Sequence, residues 1–190
     1  MLVNTVVMKG GFFYNNRLFL KTAIRIIFGI VWLIDGAFKF LFDSPATFTQ
    51  MVQAAGVSQP AFLMPWFNFW AGVVGQTPQF WFYLIAISET LLGLALIFGF
   101  VRKIAYSLGL FLSLIIWAVP EGFGGAYGPS STDIGTGIIY AIVFLALILI
   151  NTEFGISRYS LDEWLEGKIG WWYKLAEFGD YSARSAKKRR

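Results

Sequence analysis

Positively charged residues fall almost entirely on one side of four long apolar segments, and this asymmetry constrains the fold more than any other feature of the chain. The apolar segments cover residues 20–42, 79–101, 104–119 and 134–151. Lys and Arg occur before the first segment, between the second and third, and after the fourth, whereas connectors 43–78 and 120–133 contain neither. Short loops rich in Lys and Arg stay in the cytoplasm. The pattern predicts four membrane-spanning helices with both termini inside and both long connectors outside.

The composition agrees with a membrane protein. The chain has 190 residues, of which 57% are hydrophobic and only 14% are charged, so it lacks the polar surface of a soluble domain. We predict an all-α, polytopic four-helix bundle at 20–151, preceded by a cytoplasmic lead at 1–19. The first span carries Gly29 and Gly36, small residues that let helices approach closely. Residues 152–190 should form a cytoplasmic amphipathic helix and a basic tail. The run Ser160-Leu161-Asp162-Glu163 has the spacing of a capping box and should begin that helix. That tail is better suited to anionic lipid headgroups than to nucleic acid, and the alternative is a tail that only sets the topology.

The outer connector 43–78 is predicted to contain interfacial helices. Ser44-Pro45 begins one of them, because Pro is favoured in a first helical turn. Aromatic residues crowd around Pro65 in the segment 61–74, which suits the headgroup boundary. A fifth span there would place Arg102 and Lys103 on the opposite side from the N-terminus, so we favour an interfacial or re-entrant segment.

Cys and His are both absent from the chain. Without them the chain has no thiolate for an iron–sulfur cluster and lacks the usual ligand of haem or zinc. We therefore expect no haem, iron–sulfur cluster or metal ligated by this chain. Any redox role would need a diffusible cofactor or a second subunit to carry electrons.

Three ionisable residues, Asp35, Lys39 and Glu89, lie within predicted spans, where charge is costly and usually functional. Asp35 should lie roughly 10 Å, and Glu89 roughly 14 Å, from the outer ends of their spans. Lys39 follows Asp35 by one turn on the same face. We predict that the three share one chamber, in which one carboxyl exchanges protons with a bound quinone. Trp32 either lines that chamber or serves only in packing or in the aromatic belt. A structural ion pair is the alternative, but it accounts for only one of the two carboxyls and leaves the other over for proton exchange.

The outer loop after Pro120 is a second candidate site. Its members are Glu121, Gly122, Gly124, Gly125 and Asp133. Glycines leave backbone N–H groups uncovered, and such loops can bind anions. Asp133 is expected to cap the fourth span and to compete with an anion there. The alternative is a flexible outer turn without a ligand.

Several segments of the chain resemble a known family. They are the run 29–40 (GIVWLIDGAFKF), the run 117–125 (WAVPEGFGG) and the run 132–140 (TDIGTGIIY). Together they are similar to the DoxX/DoxD family of small four-helix prokaryotic membrane proteins, over roughly residues 20–150. The last two runs point toward the DoxD branch.

The resemblance implies a location in the plasma membrane of a prokaryote and a quinone-linked function. The DoxD branch implies the membrane subunit of a thiosulfate:quinone oxidoreductase, with a diffusible quinone and a partner subunit. No partner-like soluble domain follows residue 151, so we do not expect the chain to catalyse this reaction alone. The alternative is a non-catalytic accessory subunit of a larger respiratory assembly, such as a terminal oxidase or a quinol-oxidising complex. A transporter or channel is disfavoured, because the spans outline no polar pathway to the inner face.

Overall fold

The computed structural model describes residues 11–127, 133–154 and 159–179, and in these ranges all regular structure is helical. Nine α-helices are described there, together with short 3₁₀ turns at Ala61–Leu63 and Gly122–Gly124. The helices are α1 (Phe12–Asn15), α2 (Arg17–Phe42), α3 (Pro45–Ala54), α4 (Met64–Gln76), α5 (Pro78–Phe98), α6 (Arg102–Ala118), α7 (Thr136–Phe154), α8 (Leu161–Glu166) and α9 (Tyr173–Ala176).

The four long helices α2, α5, α6 and α7 match the four predicted apolar segments within a few residues. Two stretches, Pro78–Phe98 and Thr136–Glu153, are long and apolar enough to cross a membrane by length and composition. Helix α2 carries several charged side chains, and α6 has only 17 residues. Length and composition therefore identify two candidate spans, and the other two need an argument from packing.

Small residues allow α2 and α5 to pack closely along their length. A Cβ added to Gly29 would lie 2.8 Å from the Leu96 Cβ, and one on Gly93 would lie 2.6 Å from the Leu33 nitrogen. Gly36 is equally tight against Thr90. The close helix approach indicated by Gly29 and Gly36 in the sequence is confirmed.

Helices α6 and α7 form the second close pair. Gly137 of α7 lies against the backbone of Ser113 and Trp117, and Gly109 of α6 accommodates the Phe144 ring. The Phe144 ring also packs against Phe28 of α2, with centroids 4.9 Å apart. This aromatic contact is part of the core that joins the two helix pairs.

Helices α5 and α6 pack differently from what their short connection predicts. A tight turn at residues 99–101 suggests an antiparallel packed pair. Instead, α5 packs along α2 and α6 along α7, and a groove separates α5 from α6 over most of their length. Turn length limits only where two helices meet, whereas the side chains along each helix decide which neighbour it packs against.

Helices α3 and α4 lie together over one end of the long helices, which we call the α3–α4 end. Ser44 caps α3 by accepting from the Thr47 amide at 3.1 Å, and Pro45 is its first residue, as predicted. Helix α4 has 13 residues, about 20 Å, which is shorter than a hydrocarbon core of about 30 Å. Its length agrees with an interfacial segment rather than a fifth span.

Residues 159–179, which we call the strap, fold back against the turn between α5 and α6. Ser160 Oγ accepts from the Glu163 amide at 3.2 Å, so the predicted cap is present. The cap begins a helix of only six residues, α8, which is followed by turns and the four-residue α9. The single amphipathic helix predicted here is therefore divided into two short ones. The basic tail 184–190 lies outside the described residues.

Candidate functional site

The groove between α5 and α6 forms a cavity with a volume of about 650 Å³. Its walls are apolar, formed chiefly by Leu84, Leu91 and Leu92 of α5 and by Leu108, Phe111 and Ile115 of α6. Trp70 and Trp81 close it toward the α3–α4 end. Ligand pockets of proteins commonly have this size and apolar character, with a few polar groups that orient the ligand.

An ion pair supplies the polar groups of this groove. Lys39 Nζ of α2 lies 2.9 Å from Glu89 Oε2 of α5, and both residues line the cavity. The Glu89 side chain is 3% exposed, whereas that of Lys39 is 24% exposed. Gly36 lies one turn before Lys39, and Thr90 follows Glu89. Because Gly36 has no side chain, α2 can approach Thr90 closely, which brings Lys39 within reach of Glu89. Two of the three predicted charged residues are thus in one cavity.

Asp35 lies beside this pair but outside the groove lining. Its carboxylate lies near the Tyr140 hydroxyl of α7, and its charge acts on that hydroxyl and on Glu89. The single chamber predicted for Asp35, Lys39 and Glu89 is therefore divided: Lys39 and Glu89 face the groove, and Asp35 faces α7.

Trp32 is part of the aromatic core rather than the groove. It is 1% exposed and packs against Phe28, Tyr140 and Phe144, with centroids 5.4 Å from Tyr140 and 5.7 Å from Phe144. Of the two interpretations of Trp32, the structure agrees with packing and not with the pocket lining. Residue spacing placed Trp32 on the Lys39 side of α2, but its ring packs against the aromatic side chains of α7 instead.

Glu121 lies at the α3–α4 end of the groove and caps α7. Its carboxylate oxygens accept from the Gly137 amide at 2.9 and 3.1 Å. Burial raises the pKa of Glu121, the Gly137 hydrogen bond opposes that rise, and the charge of Asp133 adds to it. Asp133 was expected to provide the cap, but it accepts from the Gly135 amide at 2.8 Å in a local turn.

The glycine loop is held against α4 and the connector between α3 and α4 rather than left open. The amides of Gly122, Gly124 and Gly125 all donate to carbonyl groups within the loop or the preceding turn. Gln59 Nε2 donates to the Gly122 carbonyl at 2.8 Å, and Phe123 packs against Trp66, Phe67 and Trp117. Those three amides are thus engaged, contrary to the expected anion-binding nest. Gly128 and Thr132 lie outside the described residues.

Sequence reasoning missed a second set of buried charges, at the end opposite α3 and α4. The Arg102 side chain is completely buried and pairs with three carboxylates of the strap. They are Asp162, Glu166 and Glu177. Arg102 had been interpreted only as a topology signal and Asp162 only as part of a capping box. No periodicity relates residues that are 60 to 75 positions apart.

These features define the class of the molecule: a helical, membrane-associated protein in which apolar helices enclose a few paired ionisable groups. A family model described as DoxX matches residues 20–121, which is more than half of the chain. The chain belongs to the DoxX family, as its resemblance indicated. The run at 29–40 falls inside the match. Of the two runs that point to the DoxD branch, 117–125 falls inside it only up to residue 121 and 132–140 lies beyond it. No curated protein and no solved structure matches the chain.

Proposed function

We propose that this chain is a quinone-binding membrane subunit of a redox complex, and that the groove between α5 and α6 is its quinone site. The observation that carries this proposal is an apolar groove of about 650 Å³ that contains the Lys39–Glu89 pair. A quinone is complementary to this groove, because it has an apolar tail and a ring that carries two carbonyl oxygens.

The topology that we propose has four spans, with the α3–α4 end outside and both termini in the cytoplasm. Helix α6 is about 25 Å long, close to the thickness of a hydrocarbon core. Helix α2 turns its charges inward: Lys21 Nζ donates to Asn151 Oδ1 at 3.0 Å, and Arg25 Nη2 donates to the Tyr159 carbonyl at 2.9 Å. Buried, paired charges are compatible with a spanning helix. The distribution of Lys and Arg sets the orientation.

Lys39 and Glu89 have distinct roles in this proposal. Lys39 donates a hydrogen bond to one quinone carbonyl, and Glu89 delivers or accepts a proton at the oxygen. Reduction of a quinone to a quinol takes up two electrons and two protons. We assign the electrons to a partner subunit, because the chain contains neither Cys nor His to hold a redox centre.

The charge of the groove argues that the electron donor binds elsewhere. Its charged lining residues are Lys39, Asp43, Glu89 and Glu121, so carboxylates outnumber the single ammonium group. Such a lining disfavours a small anion. If the DoxD-like activity is present, we propose that thiosulfate is oxidised on the partner and that this chain handles only the quinone.

One observation favours a second candidate, an accessory subunit without a catalytic role. The sequence argument required one carboxyl left over after Lys39 had paired with the other. In the structure Glu89 pairs with Lys39, and Asp35 lies near the Tyr140 hydroxyl instead of facing the groove. In an accessory subunit, the contacts of both carboxyls would have a purely structural role, which is to fix the helix register.

Direct binding tests the proposal. The chain is reconstituted in lipid nanodiscs, and the affinity of a short-tailed ubiquinone analogue is measured for the wild type, Lys39→Met and Glu89→Gln. Exposed Lys168→Met and Glu153→Gln are matched controls that remove the same charges elsewhere. We expect at least about tenfold weaker binding in the two groove variants and no change in the controls. No binding by the wild type, or equal binding by all five proteins, would remove the quinone site and leave the accessory role.

A further inference from the structure

We propose that Asp162 is a positioning residue of the groove: by binding the turn between α5 and α6, its carboxylate sets the separation of the two helices that form the groove walls. The consequence for quinone binding rests on the proposed function. The consequence for the helix separation does not depend on which ligand the groove takes.

Asp162 is fully buried and uses both carboxylate oxygens on this turn and its surroundings. Oδ1 accepts from the Val101 amide at 2.8 Å and from Trp172 Nε1 at 2.8 Å. Oδ2 accepts from the Arg102 amide at 2.9 Å and lies 3.5 Å from Arg102 Nη1. The Asp162 amide in turn donates to the Gly99 carbonyl at 3.1 Å.

The turn needs such a partner because of its backbone geometry. Gly99 has φ +63° and Val101 has φ +43°, and a β-branched residue in the left-handed region is strained. The amides of Val101 and Arg102 also begin a helix and have no intrahelical acceptor. The Asp162 carboxylate satisfies both amides at once, so it stabilises a turn that the local sequence does not favour.

The strap also joins the two helix pairs to each other. Arg25 of the α2–α5 pair donates to the Tyr159 carbonyl of the strap. Arg102 of the α6–α7 pair is bound by Ser160 Oγ and by the carboxylates of the strap. Both arginines are completely buried, so each contact is shielded from water.

The groove depends on this junction because its two walls have little other contact. Helices α5 and α6 are held mainly by α2 and α7 respectively, and the turn is their covalent link. Val101, Ile104 and Ala105, at the base of α6, already line the groove. A small rotation of α6 about the turn is therefore expected to change the groove width along most of its length.

The absence of Cys makes a distance measurement clean. Cysteines introduced at Leu91 and Leu108, exposed residues on opposite walls of the groove, carry spin labels, and pulsed electron paramagnetic resonance gives their distance distribution. A separate single label at exposed Leu161 reports whether the strap is docked. Both are measured without ligand, in the wild type and in Asp162→Asn, Asp162→Glu and Glu163→Gln.

We expect Asp162→Asn to mobilise the label on the strap and to broaden and shift the distribution across the groove. Asp162→Glu should restore part of both signals. Glu163→Gln removes an exposed carboxylate from the same helix and should leave the groove distribution unchanged. Trp172→Phe removes one hydrogen bond to Asp162 and keeps the aromatic ring, so it should give a smaller change and serves if Asp162→Asn does not assemble.

Two outcomes would overturn the inference: a mobile strap with an unchanged groove distribution, or a strap that stays docked in Asp162→Asn. The quinone analogue then separates this inference from the proposed function. If the distribution responds as expected but the wild type binds no quinone, the positioning role stands and the quinone site is removed. If the wild type binds quinone and the distribution does not respond, the quinone site stands and the positioning role of Asp162 is removed.

Discussion

Gly36 of α2 lies so close to Thr90 of α5 that a Cβ added at Gly36 would be 2.5 Å from the Thr90 hydroxyl oxygen and 2.9 Å from its backbone nitrogen. This contact is next to the Lys39–Glu89 pair. The Gly36–Thr90 contact therefore sets both the separation of the two helices and the position of the two charges. Small residues have this effect in helical membrane proteins because their backbones can approach closely.

We expect Gly36→Ala to lower the free energy of unfolding by about 1–3 kcal/mol, because the neighbouring atoms include backbone that cannot move aside. Gly75→Ala in α4 is the matched control, since a Cβ there meets nothing within 4 Å. Without a clash, that change should be neutral or stabilise the protein by about 0.5–1 kcal/mol. Unfolding curves in detergent compare the two, and equal effects would contradict the close approach.

Removal of Lys39 should be more damaging than removal of both partners of the ion pair. Lys39→Met leaves the Glu89 carboxylate buried and unpaired, at a cost of about 3 kcal/mol. The double variant Lys39→Met with Glu89→Gln removes the unpaired charge and should recover most of that loss. A double-mutant cycle from detergent unfolding measures the coupling, and additive effects would show that the pair does not interact.

Strap docking should weaken as the pH rises through the neutral range. Burial raises the pKa of Glu166 from 4.5 to about 7, the charges of Glu177, Asp162 and Glu163 add to the rise, and Arg102 opposes it. A carboxyl with a raised pKa stabilises the docked state in its protonated form. Its contribution is fully present below pH 4.5 and is lost as the pH rises to about 7.

The mobility of a spin label at Leu161, followed from pH 4.5 to 8, checks this pH dependence. Glu166→Gln mimics the protonated carboxyl and should hold the strap docked with a flatter profile. Glu163→Gln, on the same helix but exposed, should keep most of the wild-type profile. A Glu166→Gln profile identical to that of the wild type would show that another group is responsible.

The cap of α7 should depend on Glu121 and not on Asp133. Glu121→Ala removes the acceptor of the Gly137 amide and should cost about 1 kcal/mol, the usual effect of losing a helix cap. Asp133→Ala removes only the bond to the Gly135 amide. Hydrogen exchange at the Gly137 amide separates the two, and it should become faster only in Glu121→Ala.

Local features were predictable from residue order. The four long helices follow from the lengths of the apolar runs, and Ser44 and Ser160 cap the helices for which their positions are suited. The approach of α2 and α5 was indicated by Gly29 and Gly36. In each case the pattern depends only on a single segment of the chain or on the size of a single residue.

The candidate site was predictable only in part. Lys39 and Glu89 meet as expected, because the cost of a charge in an apolar span selects for a partner at similar depth. Asp35 and Trp32 turn instead toward Tyr140 and the aromatic core, which depends on the position of α7. The distance of a residue along α2 from Lys39 contains no information about which helix faces it.

The order of residues by itself determined that this is a helical, apolar chain of the DoxX family, with charged residues placed where a membrane helix rarely has them. Only the tertiary structure decided that α5 and α6 stand apart around a groove, that Glu121 caps α7, and that Asp162 and Arg102 meet at the turn. The reason is physical. Helix formation depends on neighbours within four residues, whereas these contacts depend on how four helices share the same apolar surface, which no short stretch of sequence encodes.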